Sequence, residues 1–154
     1  MIEITIDDEK VKRSLDALAQ VGHKLQPAMR KIAATLAAET ETNFREEGRP
    51  QWPSLSPTTV GMRAKRTGGK RFRILQDSGS LASSISTQHS SASATVGSNK
   101  VYAAIHQFGG KAGRNQSVII PARPYLPLTP KGTLQKETAD EILDTVKRHL
   151  ESLI

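Results

Sequence analysis

The chain has 154 residues, no cysteine and a formal net charge of +7 at pH 7. That length suits one domain with its own core and leaves no room for two ordinary domains. Without cysteine there is no disulfide and no thiolate metal site. No apolar run is long enough for a transmembrane helix, and the acidic start lacks the basic segment of a signal peptide, so we expect no membrane partner.

The charge is unevenly distributed along the chain. Residues 48–136 contain thirteen Lys or Arg and one acidic residue, Asp77, whereas the two ends together sum to −5. This asymmetry predicts an anionic partner for the basic middle, either nucleic acid or an acidic protein surface. The alternative is a solvated basic loop that only keeps the protein soluble.

The N-terminal third predicts one strand and two helices. Apolar residues alternate with polar ones over residues 2–6, as in a half-buried strand, and residues 11–18 then follow a helical period that ends or breaks at Gly22. Pro27 suits the first turn of a second helix. The apolar face of this second helix is formed by Met29, Ile32, Ala33, Leu36, Ala37, Thr40 and Phe44.

Residues 48–76 are predicted to form a long basic loop. Prolines at positions 50, 53 and 57 argue against regular structure, and a loop of this length is usually functional or disordered, so we expect it to be mobile. Trp52 either folds onto the core or anchors a partner. The candidate interaction residues of this loop are Trp52, Arg63, Lys65, Arg66, Lys70, Arg71, Phe72 and Arg73.

The next segment predicts a turn, a short helix and a hairpin. Asp77 is expected to cap the turn at Gly79 through its side-chain oxygen, leading into a short helix over 81–85. Residues 85–87 and 92–96 alternate as strands around a turn at Ser90-Ser91.

Residues 101–126 contain two apolar modules around a polar gap. The first, 101–108, is too short to assign, although its apolar positions fit one helical face. The gap 109–116 predicts a solvated, mobile loop that offers Lys111 and Arg114 to a partner. Pro121 and Pro124 hold Arg123 on a stiff frame, where it is expected to pair with a carboxylate of its own chain or of a neighbour.

The C-terminal segment predicts a helix that begins near Thr129-Pro130. Its apolar face is formed by Leu134, Thr138, Ile142, Val146, Leu150 and Leu153. The whole pattern predicts an α+β domain spanning 1–154, in which an N-terminal helical segment and a long C-terminal helix pack a small antiparallel sheet.

Catalytic groups are scarce in the sequence. Asp77 has no carboxylate partner in the basic middle, and the four histidines lack metal-ligand spacing. Residues 68–71 do not complete a phosphate-binding loop. His106 is interpreted as a half-buried histidine bonded to the backbone near Gly109. We therefore predict no enzyme activity, no metal and no cofactor.

Four segments, in this order, carry a resemblance to a known family: 52–56, 75–81, 102–109 and 120–126. Together they resemble the virion-morphogenesis, or tail-completion, family of tailed bacteriophages and Mu-like prophages. The motif positions that carry the resemblance are Asp77, Gly79, Leu81, Tyr102, His106, Phe108, Gly109, Pro121 and Pro124.

The resemblance implies a structural protein of the head–tail junction. It implies assembly in the host bacterial cytoplasm, incorporation into the virion, and partners among phage neck or tail proteins and copies of itself, since related neck proteins commonly form hexameric rings. Acidic ends facing the basic middle of the next subunit would explain the charge asymmetry, with Trp52, Phe72 and Tyr125 as apolar anchors. A basic nucleic-acid-binding module is the alternative, although Phe72 is the one aromatic residue of the Arg63–Arg73 segment.

Overall fold

The computed structural model describes residues 8–20, 25–70 and 72–152. In this part of the chain the helices are α1 (Glu9–Gln20), α2 (Gln26–Glu46), α3 (Pro57–Thr67), α4 (Ala103–Phe108) and α5 (Lys136–Glu151), and the strands are β1 (Ile85–His89), β2 (Ala94–Ser98), β3 (Gly110–Ala112) and β4 (Val118–Ile120). The α+β prediction is confirmed. The predicted strand over 2–6, the helix end at Gly22, Arg71 and Leu153 lie outside the described residues.

Helix α2 is the centre of the core. It packs against α5 and against the β1–β2 hairpin, while α1 packs on α5. The predicted apolar face of α2 is buried except for half-buried Ala37, and Pro27 lies in the first turn as expected. Helix α5 buries Thr138, Ile142 and Val146 from its predicted face. The helical periodicity of the sequence thus identified the two helices that form most of the core.

The strands form two separate antiparallel pairs. In the first, Ile85 lies opposite Ser98, and in the second Lys111 lies opposite Ile119. The hairpin predicted around Ser90-Ser91 is confirmed. The two pairs remain separate sheets in the described structure, and α4 lies between them along the chain.

Helix α3 corrects the prediction that residues 48–76 lack regular structure. The hydroxyl of Ser56 accepts a hydrogen bond from the Thr59 N–H at 3.2 Å, Pro57 lies in the first turn, and Gly68 ends the helix with φ 64°. Proline was taken as a breaker, but it is well tolerated in the first turn, where its missing N–H has no helical partner. Mobility of this segment stays a prediction.

Two further boundaries differ from the sequence prediction. The gap 109–116 was predicted to be a solvated, mobile loop; it is solvated, but it contains β3 and a 3-10 turn over Arg114–Gln116. Helix α5 begins at Lys136 and not near Thr129, because the Thr129 N–H donates to the Thr133 carbonyl at 2.7 Å and closes a turn before the helix.

The ambiguous segment 101–108 is helical from Ala103 onward. Its buried residues are Ala103 and Gln107, while Val101 and Phe108, from the predicted apolar face, are 98% and 61% exposed. The segment left unassigned by its sequence is therefore a short helix, and it buries a glutamine and not the residues of its apolar pattern.

Candidate assembly surface

Gln107 and Asn43 hold the segment 121–126, here called the clamp segment, from two sides. The Gln107 Oε1 accepts hydrogen bonds from the N–H groups of Tyr125 and Leu126 at 3.1 and 3.0 Å. The Asn43 Nδ2 donates to the Tyr125 carbonyl at 3.1 Å. Buried polar groups are stable only when paired in this way, so the network fixes the backbone of an extended segment that has no sheet partner of its own. The sequence analysis did not identify Gln107 or Asn43. The one sign in the sequence was that each is a polar residue among positions that face the core.

Trp52 and Tyr125 belong to the core and not to an interface. Trp52 is 4% exposed and Tyr125 is fully buried, and both rings pack on Phe44, at centroid distances of 6.0 and 5.3 Å. The Trp52 Nε1 donates to the Pro124 carbonyl at 2.8 Å, and the Tyr125 hydroxyl donates to the Ala103 carbonyl at 3.2 Å. Burial raises the pKa of Tyr125 well above its usual value. The core interpretation of Trp52 is confirmed, and Tyr125 as an interface anchor was wrong.

Arg123 binds backbone carbonyls, and no carboxylate of the described residues pairs with it. It is 6% exposed, and its Nε and Nη2 donate to the carbonyls of Pro53 and Ser54, both at 2.9 Å. Burial, and then the charge of Arg63, lower the pKa of Arg123. The planar guanidinium suits two neighbouring acceptors, so this cation ties the Trp52 loop to the clamp segment. The alternative of a carboxylate from its own chain is not seen among the described residues, and pairing with a carboxylate of a neighbour stays a prediction.

Arg63 and Arg66 attach α3 to the segment that follows it. The Arg63 side chain, 14% exposed, lies over the Phe72 ring at 5.6 Å and donates to the Arg73 carbonyl at 3.1 Å. Arg66 forms an ion pair with Asp77, and the Arg63 Nε lies 3.7 Å from the same carboxylate. Helix α3 has no buried residue, so these polar contacts, and not an apolar face, hold it against the rest of the protein.

Asp77 therefore acts as a counter-ion and not as the predicted cap. The 3-10 helix over Ala82–Ser84 has no side-chain cap, and the turn before it is bonded through the Ser78 hydroxyl, which accepts from the Ser80 N–H. With two cations within reach, the carboxylate pairs with them instead of with the backbone. The expected short helix is present, and Leu81 at its start is buried.

His106 does not bond to the backbone near Gly109 as predicted. Its Nδ1 is buried without a hydrogen-bond partner, and its ring lies edge-on to Tyr102 with centroids 5.9 Å apart. Burial, and then the charge of Arg123, lower the pKa of His106, which favours the neutral imidazole. Its backbone carbonyl accepts from the Arg123 N–H at 2.8 Å, so α4 and the clamp segment are joined here.

Gly109 occupies a position that excludes side chains. Its φ is +72°, and a Cβ built there would lie 2.7 Å from the Ala122 backbone nitrogen. Gly79 also has positive φ, at +74°, though the space around it is open. The clamp segment can approach α4 closely only because residue 109 is glycine.

Asp77 and His106 lie on a shallow groove of about 310 Å³ between α3 and α4. It is lined by Arg63, Leu75, Asp77, Ser78, Ser80, Leu81, Tyr102 and His106. Within the described residues no group of three His, Cys, Asp or Glu could hold a metal ion. In the same part of the chain, no helix is long and apolar enough to cross a membrane.

Most of the other candidate cations lie exposed on the surface of the described structure. The exposed basic residues among the candidates are Lys65, Arg66, Lys70, Arg73, Lys111 and Arg114, and of these Arg66 is paired with Asp77. The structure also exposes large apolar side chains that sequence reasoning did not single out as interface residues. These are Val60, Met62, Val101, Tyr102, Phe108, Val118 and Ile119. Exposed apolar side chains of this size make these positions candidates for a protein-binding surface.

Comparison with known proteins identifies the family. The sequence model of the phage virion morphogenesis family matches residues 6–151. The chain is 40% identical to Mu-like prophage FluMu G protein 2 of Haemophilus influenzae over all of this chain and 99% of that protein. It is 30% identical to "Putative capsid assembly protein G" of Escherichia phage Mu over 99% of this chain and 96% of that protein. No solved structure matches. The chain belongs to the phage virion morphogenesis family.

Proposed function

We propose that this chain is a non-catalytic structural subunit that completes the tail or joins head to tail, and that it acts as part of a ring. Its match to the morphogenesis family over residues 6–151 carries the proposal. The name of the phage Mu relative, which refers to capsid assembly, also describes building a particle. The subunit would assemble in the host bacterial cytoplasm and remain in the virion, bound to copies of itself and to neck or tail proteins.

The exposed cations and apolar groups supply what such a role needs. Opposite charges at an interface mostly set orientation and association rate, and they are screened over about 10 Å at ~0.1 M salt. Apolar anchors must then provide most of the affinity. Met62 and Ile119, which are 61% and 77% exposed, are better candidates than buried Trp52 and Tyr125.

Nucleic-acid binding is the second candidate, because Lys65, Lys70 and Arg73 are all exposed within nine residues. Against it, Phe72 is half-buried and Arg63 covers one face of its ring, so the segment is a poor platform for stacking a base. A gel-shift titration over a salt series separates the two functions. Micromolar affinity with a steep salt slope would favour nucleic acid.

Deleting the gene from the phage or prophage that encodes the chain tests the proposed function. We expect the deletion strain to accumulate heads and tails that are not joined, as seen by electron microscopy, and a plasmid copy to restore joined particles. Normal particle numbers without the protein would contradict a structural role. Loss of the heads themselves would place its action in the capsid and not at the tail.

A further inference from the structure

The β3–β4 hairpin with the residues that lead into it, 108–120, forms an arm in which no side chain is fully buried. We call it the hairpin arm. Phe108, Val118 and Ile119 on it are 61%, 52% and 77% exposed. Large apolar side chains concentrated on one short hairpin mark an interaction surface more strongly than single exposed residues do.

The two faces of the hairpin arm differ. Residues directly opposite each other in an antiparallel pair share a face, so Gly110 and Ile120 lie on one side and Lys111 and Ile119 on the other. A Cβ at Gly110 would lie 3.6 Å from the Ile105 side chain, which places the first face against α4. The second face, an isoleucine beside a cation, therefore points away from the body of its own subunit.

Helix α5 carries a surface that complements this face. Glu137, Asp140, Glu141 and Asp144 are exposed at a spacing that places them in one stripe, away from the buried face of the helix. Asp140 pairs with Lys136 at 2.5 Å and Asp144 with Arg148 at 3.7 Å. Among the described residues Glu141 forms no ion pair, and Glu137 acts only through its charge on the adjacent Lys136, whose pKa it helps to raise.

We propose that the Lys111–Ile119 face of the hairpin arm docks on the carboxylate stripe of α5 in a second copy of the chain. The proposal rests on the proposed ring function and names the contact between neighbouring subunits. Because the arm and the stripe are different patches of the surface, the contact is head-to-tail. If the rotation between neighbouring subunits closes after a whole number of copies, repeating the contact generates a ring. Half-buried Leu143, beside the stripe, offers Ile119 an apolar neighbour.

Disulfide trapping tests the contact, because the chain contains no cysteine of its own. Ile119→Cys and Glu141→Cys copies are made together in cells that build particles, oxidised, and separated on a non-reducing gel. The matched control pairs Ser91→Cys, an exposed position in the turn of the β1–β2 hairpin, with Glu141→Cys. We expect at least about tenfold more cross-linked dimer from the first pair, since groups held at a contact reach millimolar effective concentration.

Complete particles without cross-linking above the control would overturn the arm–stripe contact and leave the ring proposal standing. Cross-linking in a system where gene deletion leaves joining intact would support the contact and contradict the proposed function. If the cysteine variants build no particles, the contact is tested instead by exchanging the charges of its two sides. Lys111→Glu should reduce joining, and adding Glu141→Lys in the same chain should restore it. Failure of the exchange to restore joining would overturn the contact.

Discussion

The clamp segment and the hairpin arm are neighbours in the basic middle of the chain, yet they use their cations in opposite ways. In the clamp segment, Arg123 is buried and donates to two backbone carbonyls. In the hairpin arm, Lys111 and Arg114 are exposed and make no ion pair with another described residue. The basic residues in the middle of the chain therefore belong to two groups. Some hold the fold, and others remain exposed and available to partners.

The difference also separates the aromatic residues. Tyr125 of the clamp segment and Trp52, which bonds to that segment, are buried in the core, whereas Phe108 at the base of the hairpin arm is 61% exposed. Substitutions in the first group should act on the stability of the subunit, and substitutions in the second should act on assembly.

Trp52→Ala should give the largest effect. It removes a ring packed on Phe44 and leaves the Pro124 carbonyl without its donor, so we expect the free energy of unfolding to fall by about 3–5 kcal/mol in urea denaturation. Phe108→Ala is the matched control and should change it by less than about 0.5 kcal/mol. If both substitutions lowered the free energy of unfolding equally, the proposed difference between the clamp segment and the hairpin arm would be contradicted.

Arg123→Met should have the next largest effect. It leaves the Pro53 and Ser54 carbonyls without their donors, and we expect a loss of about 1–3 kcal/mol. Arg114→Met, in the hairpin arm, should leave the unfolding midpoint unchanged. A wild-type midpoint for Arg123→Met would mean that the buried guanidinium does not hold the Trp52 loop.

Asp77→Asn should alter α3 with little effect on global stability. Its ion pair with Arg66 joins side chains that are 61% and 40% exposed, so the loss should stay below about 1 kcal/mol. Limited trypsin digestion should nevertheless show faster cleavage between Arg63 and Arg73 than in the wild type, because α3 buries no residue. An unchanged cleavage rate would show that contacts other than the Asp77 ion pairs hold this helix.

His106 should make a small, pH-dependent contribution. Its folded pKa lies below the ordinary value of 6.5, so the unfolded chain binds the proton more readily. Stability should therefore be highest above pH 6.5 and fall as the pH drops from there through the folded pKa. His106→Gln should flatten this part of the stability profile, and an identical slope in the variant would assign the pH dependence to other groups.

Periodicity was sufficient to predict the helices that pack by an apolar face, because the buried positions of α2 and α5 follow the helical repeat. It could not predict α3, which is held by Arg63 and Arg66, or the role of Gln107, because these depend on partners distant in sequence. For the same reason, the sequence showed that Arg123 was constrained by its prolines but not that its acceptors were Pro53 and Ser54.

The most direct test of this division is charge reversal confined to the exposed cations, with Lys65, Lys70, Lys111 and Arg114 changed to Glu in one chain. Arg63 and Arg123 stay unchanged because they hold the fold. Thermal unfolding of the variant and the yield of joined particles from cells that carry it are measured side by side. We predict a folded subunit with close to wild-type stability that no longer joins heads and tails. A folded variant that joins them at the wild-type level would contradict the assignment of the exposed cations to assembly.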